Sequence, residues 1–315
     1  MKQGVKELLL KIALVLLPVA FFYGWIEIKA REIPNSYRLK KELIESQLDS
    51  IRILVLGSSN TYKAIDPALF SCRGFNLGNS SQSLYYDNRL CLQYIDRLPQ
   101  LKAVIINFAF ISLFFELNES PDGWRDYFYY HYYGIRHPEL NLIDPRTFSY
   151  TALYSRIVLS DFIFHRLDTK KQTGDIQSSG WEKAPLLEDP TILSDPVGSA
   201  RLKFHMTLIN RRNLTRNINY LEELISKLKK RNIGVFLVTS PVCETYYKFV
   251  DPAMDRENHE IINTICRKYD LRYFDYFRDD RFSKEDFYDN DHLNWIGAEK
   301  FSKILDKDIV SNICQ

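Results

Sequence analysis

Short apolar runs that are typical of buried strands alternate along this chain with helical patterns. The clearest helical pattern places apolar residues at 214, 218, 221, 225 and 228, intervals of four and three that put them on one helix face. This alternation predicts a three-layer α/β/α fold of flavodoxin-like type, with a five-stranded, mostly parallel sheet covered on both faces. The predicted strands span residues 51–56, 73–77, 103–108, 233–238 and 271–274.

Residues 118–205 interrupt this rhythm. Removing them from 51–315 leaves a length that suits a single α/β domain, so we expect one domain with a long insertion. Within the insertion, residues 124–133 read WRDYFYYHYY. These aromatic rings could stack on sugar rings, with Trp124, Tyr130 and Tyr133 as candidate glycan contacts, or could pack the insertion onto the sheet.

The N-terminal region is dominated by one apolar run. Residues 12–26 carry no charge, and flanking apolar residues extend the run across Lys11. About 20 helical residues at roughly 1.5 Å each reach about 30 Å, the thickness of the hydrocarbon core of a bilayer. Lys2 and Lys6 precede the run, which favours a cytoplasmic N-terminus.

We therefore expect residues 1–30 to form an uncleaved, single-pass membrane anchor with one transmembrane helix. Residues 31–50 are polar and predict a helical stalk, and the domain from 51 onward would lie outside the cytoplasm, in a periplasmic or equivalent space. A cleaved signal peptide and a soluble core helix are the alternatives. No small-x-small cleavage site is evident, and a core helix rarely begins a chain in this way.

The net charge and the cysteine content limit the binding partners and the metal sites that are expected for this chain. The formal net charge of +2 gives no bulk attraction to nucleic acid, so no nucleic-acid partner is expected. The five cysteines lack Cys-x-x-Cys spacing, which argues against a structural zinc site. An oxidising compartment would allow a disulfide, and Cys72 and Cys91 are the nearest pair in sequence, although spacing alone does not fix the connectivity.

Two stretches could carry chemistry at the carboxyl edge of the sheet. Ser59 follows the first predicted strand, and His292 follows the fifth, with Asp289 three residues before it. A carboxylate at that spacing can accept from the imidazole and leave the other ring nitrogen to take a proton from a serine. Each stretch alone is also an ordinary turn with a helix cap, but the order Ser, Asp, His is a permitted triad order.

These stretches resemble the SGNH (GDSL-like) hydrolase superfamily, in its membrane-anchored extracytoplasmic branch. Residues 57–59 are similar to the Gly-Asp-Ser block of that family, and residues 289–294 are similar to its Asp-x-x-His block. The resemblance implies Ser59 as nucleophile, His292 as general base and Asp289 as the residue that orients His292.

The oxyanion hole of that family is matched less well. Residues 76–81 resemble the second family block, with Ser81 where the family has glycine, so the resemblance implies the backbone N–H groups of Ser59 and Ser81 as oxyanion donors. The Gly-x-Asn-Asp block is missing after the third strand. Ser112 or Asn107 would have to supply a side-chain donor in its place.

The resemblance implies a Ser-His-Asp esterase or O-acyltransferase, acting on acetyl or other acyl esters of an envelope or secreted polysaccharide. We expect no metal and no cofactor. The alternative is a non-catalytic protein of the same fold that binds glycan or a membrane acyltransferase during envelope assembly. The altered third block favours this alternative, and the presence of Ser59, Asp289 and His292 opposes it.

Overall fold

The computed structural model describes residues 2–314 and contains one parallel sheet. The five strands are β1 (Ile53–Gly57), β2 (Gly74–Asn76), β3 (Ala103–Phe108), β4 (Gly234–Thr239) and β5 (Arg272–Asp275). They lie in the order β2-β1-β3-β4-β5, and every neighbouring pair is parallel. The predicted five-stranded α/β/α fold is therefore confirmed, with strand ends shifted by at most a few residues.

Two apolar cores form on opposite faces of the sheet because side chains alternate along each strand. In β1, Leu54 and Leu56 enter one core, and Ile53 and Val55 enter the other.

The helices that cover these faces and the loops between them complete the fold. In the described residues the helices are α1 (Lys2–Arg31), α2 (Ser36–Glu45), α3 (Ser59–Ala64), α4 (Leu84–Tyr94), α5 (Asp126–Phe128), α6 (Arg156–Ile163), α7 (Thr169–Thr173), α8 (Asp195–Thr207), α9 (Leu214–Lys229), α10 (Glu244–Tyr247), α11 (Pro252–Tyr269) and α12 (Trp295–Asp308).

α1 is long and apolar enough to span a membrane. The candidate span covers residues 3–31 with a mean hydropathy of 2.1, and none of its most apolar window is buried against the rest of the described chain. That exposure does not fit a buried core helix, which was one of the alternatives for this segment. The apolar surface of α1 is thus available to lipid.

The segment predicted as a stalk packs along the domain instead of standing clear of it. Its helix α2 buries Tyr37 and Ile44, which lie seven residues apart on one face and join the main core. Lys40, between them, is also buried, with its ammonium 4.8 Å from the centre of the Tyr62 ring. Lys40 Nζ donates to the carbonyl oxygen of Gly78. The predicted helix is present in this segment, and its apolar stripe holds it against the domain.

The disulfide joins Cys72 to Cys314, not to Cys91. Cys91 lies within α4 and is fully buried in the main core, where it cannot reach Cys72. The sequence left the connectivity open, and the nearest pair in sequence is not the pair that is bonded. The observed bond links the loop before β2 to the C-terminal end of the described chain, beyond α12.

Candidate active site

Ser59 lies at the carboxyl end of β1, where the strand turns into α3. Gly57 ends the strand with φ of +138°, a conformation that L side chains rarely adopt. A Cβ at Gly57 would also lie 2.5 Å from the carbonyl oxygen of Asn107 on β3. Glycine thus permits the tight turn that brings Ser59 to the edge where parallel α/β sheets bind ligands.

His292 is held by the loop that leads into α12. The Asp289 carboxylate accepts the backbone N–H groups of Asp291 and His292 at 3.0 and 2.9 Å, which closes a tight turn. Asn294 then caps α12 by accepting two N–H groups of its first turn. The Asp- and Asn-rich sequence therefore fixes the loop locally, and with it the direction of the His292 ring.

The structure brings Ser59, His292 and Asp289 into one hydrogen-bonded line. Ser59 Oγ lies 2.8 Å from His292 Nε2, and both carboxylate oxygens of Asp289 lie 2.9 Å from His292 Nδ1. When Nδ1–H donates to Asp289, Nε2 is free to accept the proton of the Ser59 hydroxyl. This geometry can perform nucleophilic catalysis with an activated serine.

A second polar group on the other side of His292 was missed by sequence reasoning. Arg201 binds the buried Asp291 carboxylate through Nε at 2.7 Å and Nη2 at 3.1 Å. Oδ2 of Asp291 lies 3.7 Å from Nε2 of both His205 and His292. Nδ1 of His205 is 2.6 Å from the hydroxyl of Tyr246. The four-residue spacing of Arg201 and His205, which puts both on one face of α8, was the available signal.

Burial and neighbouring charges shift the pKa values of His292 and Asp291 in opposite directions. Burial lowers the pKa of His292, but the Asp291 charge, the Asp289 charge and the Asp289 hydrogen bond outweigh burial and raise that pKa above its ordinary value. Burial raises the pKa of Asp291, and the neighbouring His292, His205 and Arg201 lower it to well below its usual range. Burial lowers the pKa of His205 to about 4. At neutral pH, Asp291 is therefore ionised and His205 is neutral.

A cavity of about 200 Å³ opens beside Ser59. One wall comes from α8 and the segment that follows it, so the end of the insertion contributes directly to this cavity. Its lining is Ser58, Ser59, Asn60, Ser81, Gln82, Ala109, Ile111, Ser112, Phe115, Ser120, Pro121, Asp122, Arg201, Phe204, His205 and Leu208. The mixture of hydroxyl, amide and apolar groups suits a small, partly polar ligand.

Donors for an oxyanion are available on this cavity wall. Among the described residues, no hydrogen-bond partner is recorded for the backbone N–H groups of Ser59 and Ser81. Ser81 has φ of +53°, and its hydroxyl donates to Asp122. Ser112 also lines the cavity, where its Oγ accepts from the N–H of Ala109 and leaves the hydroxyl hydrogen to donate.

Asn107 does not fit the donor role that the sequence left open for it. Its side chain is buried, and Nδ2 donates to Thr61 Oγ1 at 3.0 Å and Ser240 Oγ at 3.2 Å. Its position inside β3 directs the amide toward Thr61 in α3 and Ser240, the residue after β4. Ser112 is thus the remaining side-chain candidate of the two.

The aromatic run mostly packs the insertion onto the domain. Tyr133, one of the candidate glycan contacts, is 6% exposed and belongs to the main core, so its ring is not offered to a ligand. Tyr130 is half-buried and Trp124 is 38% exposed, with the Arg125 guanidinium 4.4 Å from the centre of its ring. Trp124 lines a separate cavity with Tyr154. Glycan contact by Trp124 and Tyr130 remains a prediction.

Asp289, Asp291 and His292 also stand close enough to share an ion. One ligand atom from each lies within 4.8 Å of the others. The two carboxylates are already engaged, because Asp289 contacts the imidazole and two N–H groups and Asp291 contacts Arg201. A guanidinium bound to Asp291 opposes a second cation there, so the group fits proton transfer better than metal binding.

Comparison with known proteins adds little to this geometry. A protein-family model whose description names no function matches residues 208–314, less than half of the chain. No curated protein matches the sequence.

Seven solved chains match the structure. A Streptococcus pneumonia protein provisionally named as a platelet activating factor is 13% identical, with 94% of this chain and 99% of that chain covered at a TM-score of 0.42. A Bacteroides fragilis protein provisionally named as an acylhydrolase is 12% identical, with coverage of 89% and 96% at a TM-score of 0.42. At this similarity, the fold assignment depends on the strand order of the chain itself.

Proposed function

We propose that this protein is a membrane-anchored serine esterase or O-acyltransferase that acts on acyl esters, with acetylated polysaccharide as the substrate class. The single observation that carries the proposal is the line Asp289–His292–Ser59, with contacts of 2.9 and 2.8 Å beside a cavity. A serine hydroxyl is a weak nucleophile without an adjacent base, and this arrangement supplies one.

In the first half of the reaction, Ser59 Oγ attacks the acyl carbonyl carbon while His292 Nε2 takes the hydroxyl proton. The carbonyl oxygen becomes an oxyanion, which the N–H groups of Ser59 and Ser81 stabilise. Collapse of the tetrahedral intermediate breaks the ester C–O bond. His292 returns the proton to the leaving alkoxide, and the acyl group stays on Ser59.

In the second half, an acceptor hydroxyl gives its proton to His292 and attacks the acyl-Ser59 carbonyl. The bond between the acyl carbon and Ser59 Oγ then breaks, and His292 returns the proton to Ser59 Oγ, which restores the free enzyme. Water as acceptor releases a carboxylic acid, which is esterase activity. A sugar hydroxyl as acceptor forms a new ester, which is transferase activity. Both outcomes use the same residues, and they differ in whether the cavity favours water or a sugar as acceptor.

The anchor and the compartment belong to the same proposal. α1 supplies an apolar span, and the lysines before and within it favour a cytoplasmic N-terminus. The Cys72–Cys314 disulfide fits an oxidising space outside the cytoplasm. A reporter that works only outside the cytoplasm, fused after Gln315, should be active. Activity from a cytoplasmic reporter alone would contradict this placement.

The experiment on activity follows release or transfer of acetyl from an aryl acetate and from an acetylated glycan, with the full chain in detergent. Ser59→Ala and His292→Ala should each remove most turnover, and the double variant should lose little more, because the residues act as a unit. Ser58→Ala is the matched control and should have a small effect.

Wild-type turnover in Ser59→Ala would exclude Ser59 as nucleophile. A wild type that binds glycan or a membrane acyltransferase but turns over no ester would support the assembly role instead.

A further inference from the structure

One segment of the insertion exposes large apolar side chains to an unusual degree. Ile143, Phe148, Ile157 and Phe164 are 87%, 70%, 73% and 66% exposed. Outside this segment, which we define as residues 142–164, and outside α1, no large apolar side chain that the structure describes is more than 46% exposed. Single exposed apolar residues are common on soluble surfaces, but a cluster of this kind marks an interaction surface.

The segment is tied directly to the anchor helix. Glu27 near the end of α1 accepts the backbone N–H groups of Tyr150 and Thr151, and its Oε2 lies 3.0 Å from the hydroxyl of Ser149. The hydroxyl of Tyr23, one turn earlier on α1, is 3.1 Å from the same serine hydroxyl. These contacts fix residues 149–151 against the last turns of α1.

The position of these contacts along α1 sets the depth of residues 142–164 relative to the bilayer. The uncharged run of α1 ends at Ile26, and the charged residues Glu27, Lys29 and Arg31 follow it. In a spanning helix, such a change from apolar to charged residues lies at the boundary between lipid acyl chains and headgroups. Residues 149–151 are bound at that level, and Phe148 is their immediate neighbour in the chain.

The composition of the segment suits the same boundary. Its helix α6 begins with the exposed pair Arg156 and Ile157, and the exposed Phe164 is followed within two residues by Arg166. Apolar side chains next to basic ones are typical of segments that lie in the plane of a membrane surface. Arg166 lies 3.5 Å from Asp161, so Arg156 is the basic group placed to meet lipid phosphates while the apolar groups enter the acyl boundary.

We propose that residues 142–164 bind the lipid bilayer beside α1 as a second, interfacial contact. This inference rests on the proposed anchoring of α1. The bound segment would hold the domain, and with it the Ser59 cavity, at a fixed height and tilt above the membrane. A single helix alone would leave the domain free to swivel.

The test uses the full chain in vesicles of phosphatidylcholine and phosphatidylglycerol. An environment-sensitive fluorophore is attached to single cysteines introduced by Phe148→Cys or Ile157→Cys, at exposed positions that tolerate substitution. The free native cysteines of the described chain are buried. The control is Ile296→Cys, which is 41% exposed at the start of α12, on the opposite face of the sheet from the insertion aromatics. Leu16→Cys in α1 reports on the anchor itself.

Lipids that carry a spin label near the headgroup should quench most of the fluorescence at positions 148 and 157 and leave position 296 bright. A water-soluble quencher should show the reverse order. If position 16 is protected from the aqueous quencher but 148 and 157 are quenched by it as fully as 296, the anchor is present and the interfacial contact is refuted. If position 16 also behaves as an aqueous site, the anchoring proposal fails together with the inference.

Discussion

Asp291 Oδ2 lies 3.7 Å from His292 Nε2, the same ring nitrogen that contacts Ser59 Oγ. Asp289, by contrast, binds Nδ1 on the opposite side of the ring. Two carboxylates therefore flank His292 on opposite sides of its ring. Under the proposed function, Asp289 orients the ring, and Asp291 stabilises its positive charge from the side on which the proton arrives.

Asp289→Asn should lower kcat strongly, by roughly 100-fold to 10,000-fold, because an amide there no longer favours the tautomer with a proton on Nδ1. Asp291 is not placed to replace Asp289 in this role, because it faces Nε2 and its oxygens are bound to Arg201. Steady-state hydrolysis of an aryl acetate measures the effect, and near-wild-type turnover would show that Asp289 is not the orienter.

Asp291→Asn should move the acidic limb of the rate profile to lower pH. His292 must be neutral to take the Ser59 proton, and the Asp291 and Asp289 charges hold its pKa above the ordinary value of a histidine, against the effect of burial. Removing the Asp291 charge lowers the pKa of His292, so activity should persist at more acidic pH. The pH dependence of kcat/KM for wild type and variant measures the shift. An unchanged limb, or one moved to higher pH, would contradict the assigned effect of Asp291.

Loss of the Cys72–Cys314 disulfide should destabilise the domain by about 2–5 kcal/mol. Thermal unfolding should begin at a lower temperature in Cys72→Ser/Cys314→Ser, and a reductant should lower the wild-type transition without changing that of the variant. Thiol titration of the denatured, unreduced chain should find three thiols, Cys91, Cys243 and Cys266. Five thiols would contradict the bond.

Lys40→Met should remove a pH dependence of stability. Burial lowers the pKa of Lys40 to about 7, whereas an unfolded lysine titrates near about 10.4. Between these values the unfolded state binds more protons, so the wild-type free energy of unfolding should rise with pH, by up to about 1.4 kcal/mol per unit.

Denaturant unfolding at pH 7 and pH 9 in detergent measures this slope. The difference between Lys40→Met and wild type should change between the two pH values. Lys41→Met removes a neighbouring, half-buried lysine and serves as control. An identical pH dependence in wild type and Lys40→Met would show that Lys40 does not titrate in this range.

The fold and the Asp289–His292 pair could be predicted because their signals are local. Strands such as β3 are continuous apolar runs, and Asp289 and His292 lie three residues apart in one turn. Ser59 and His292 are 233 positions apart, and their meeting was predicted from the parallel sheet, which brings the loops after its strands to one edge. The remaining parts depend on contacts between distant residues. Arg201 reaches Asp291 across 90 positions, and Cys72 reaches Cys314 across 242, and neither pairing leaves a periodic pattern in the sequence.

Burial explains the other differences between the sequence predictions and the structure. Tyr133 and Asn107 carry suitable chemistry for a site, but both are enclosed by packing that composition does not reveal. α2 seemed polar because only a narrow stripe of its surface, including Tyr37 and Ile44, faces the domain. Such features follow from which elements meet in three dimensions, and residue type alone does not decide them.

Labelling by a fluorophosphonate tests the central claim most directly, because this reagent reacts with a serine only where a neighbouring base activates it. The account predicts a stable adduct on Ser59 of the full-length protein, located by peptide mass spectrometry. Labelling should be lost in Ser59→Ala and strongly reduced in His292→Ala, and should persist in Ser58→Ala. A folded wild-type protein that takes up no label, or takes it up at another serine, would contradict an activated Ser59.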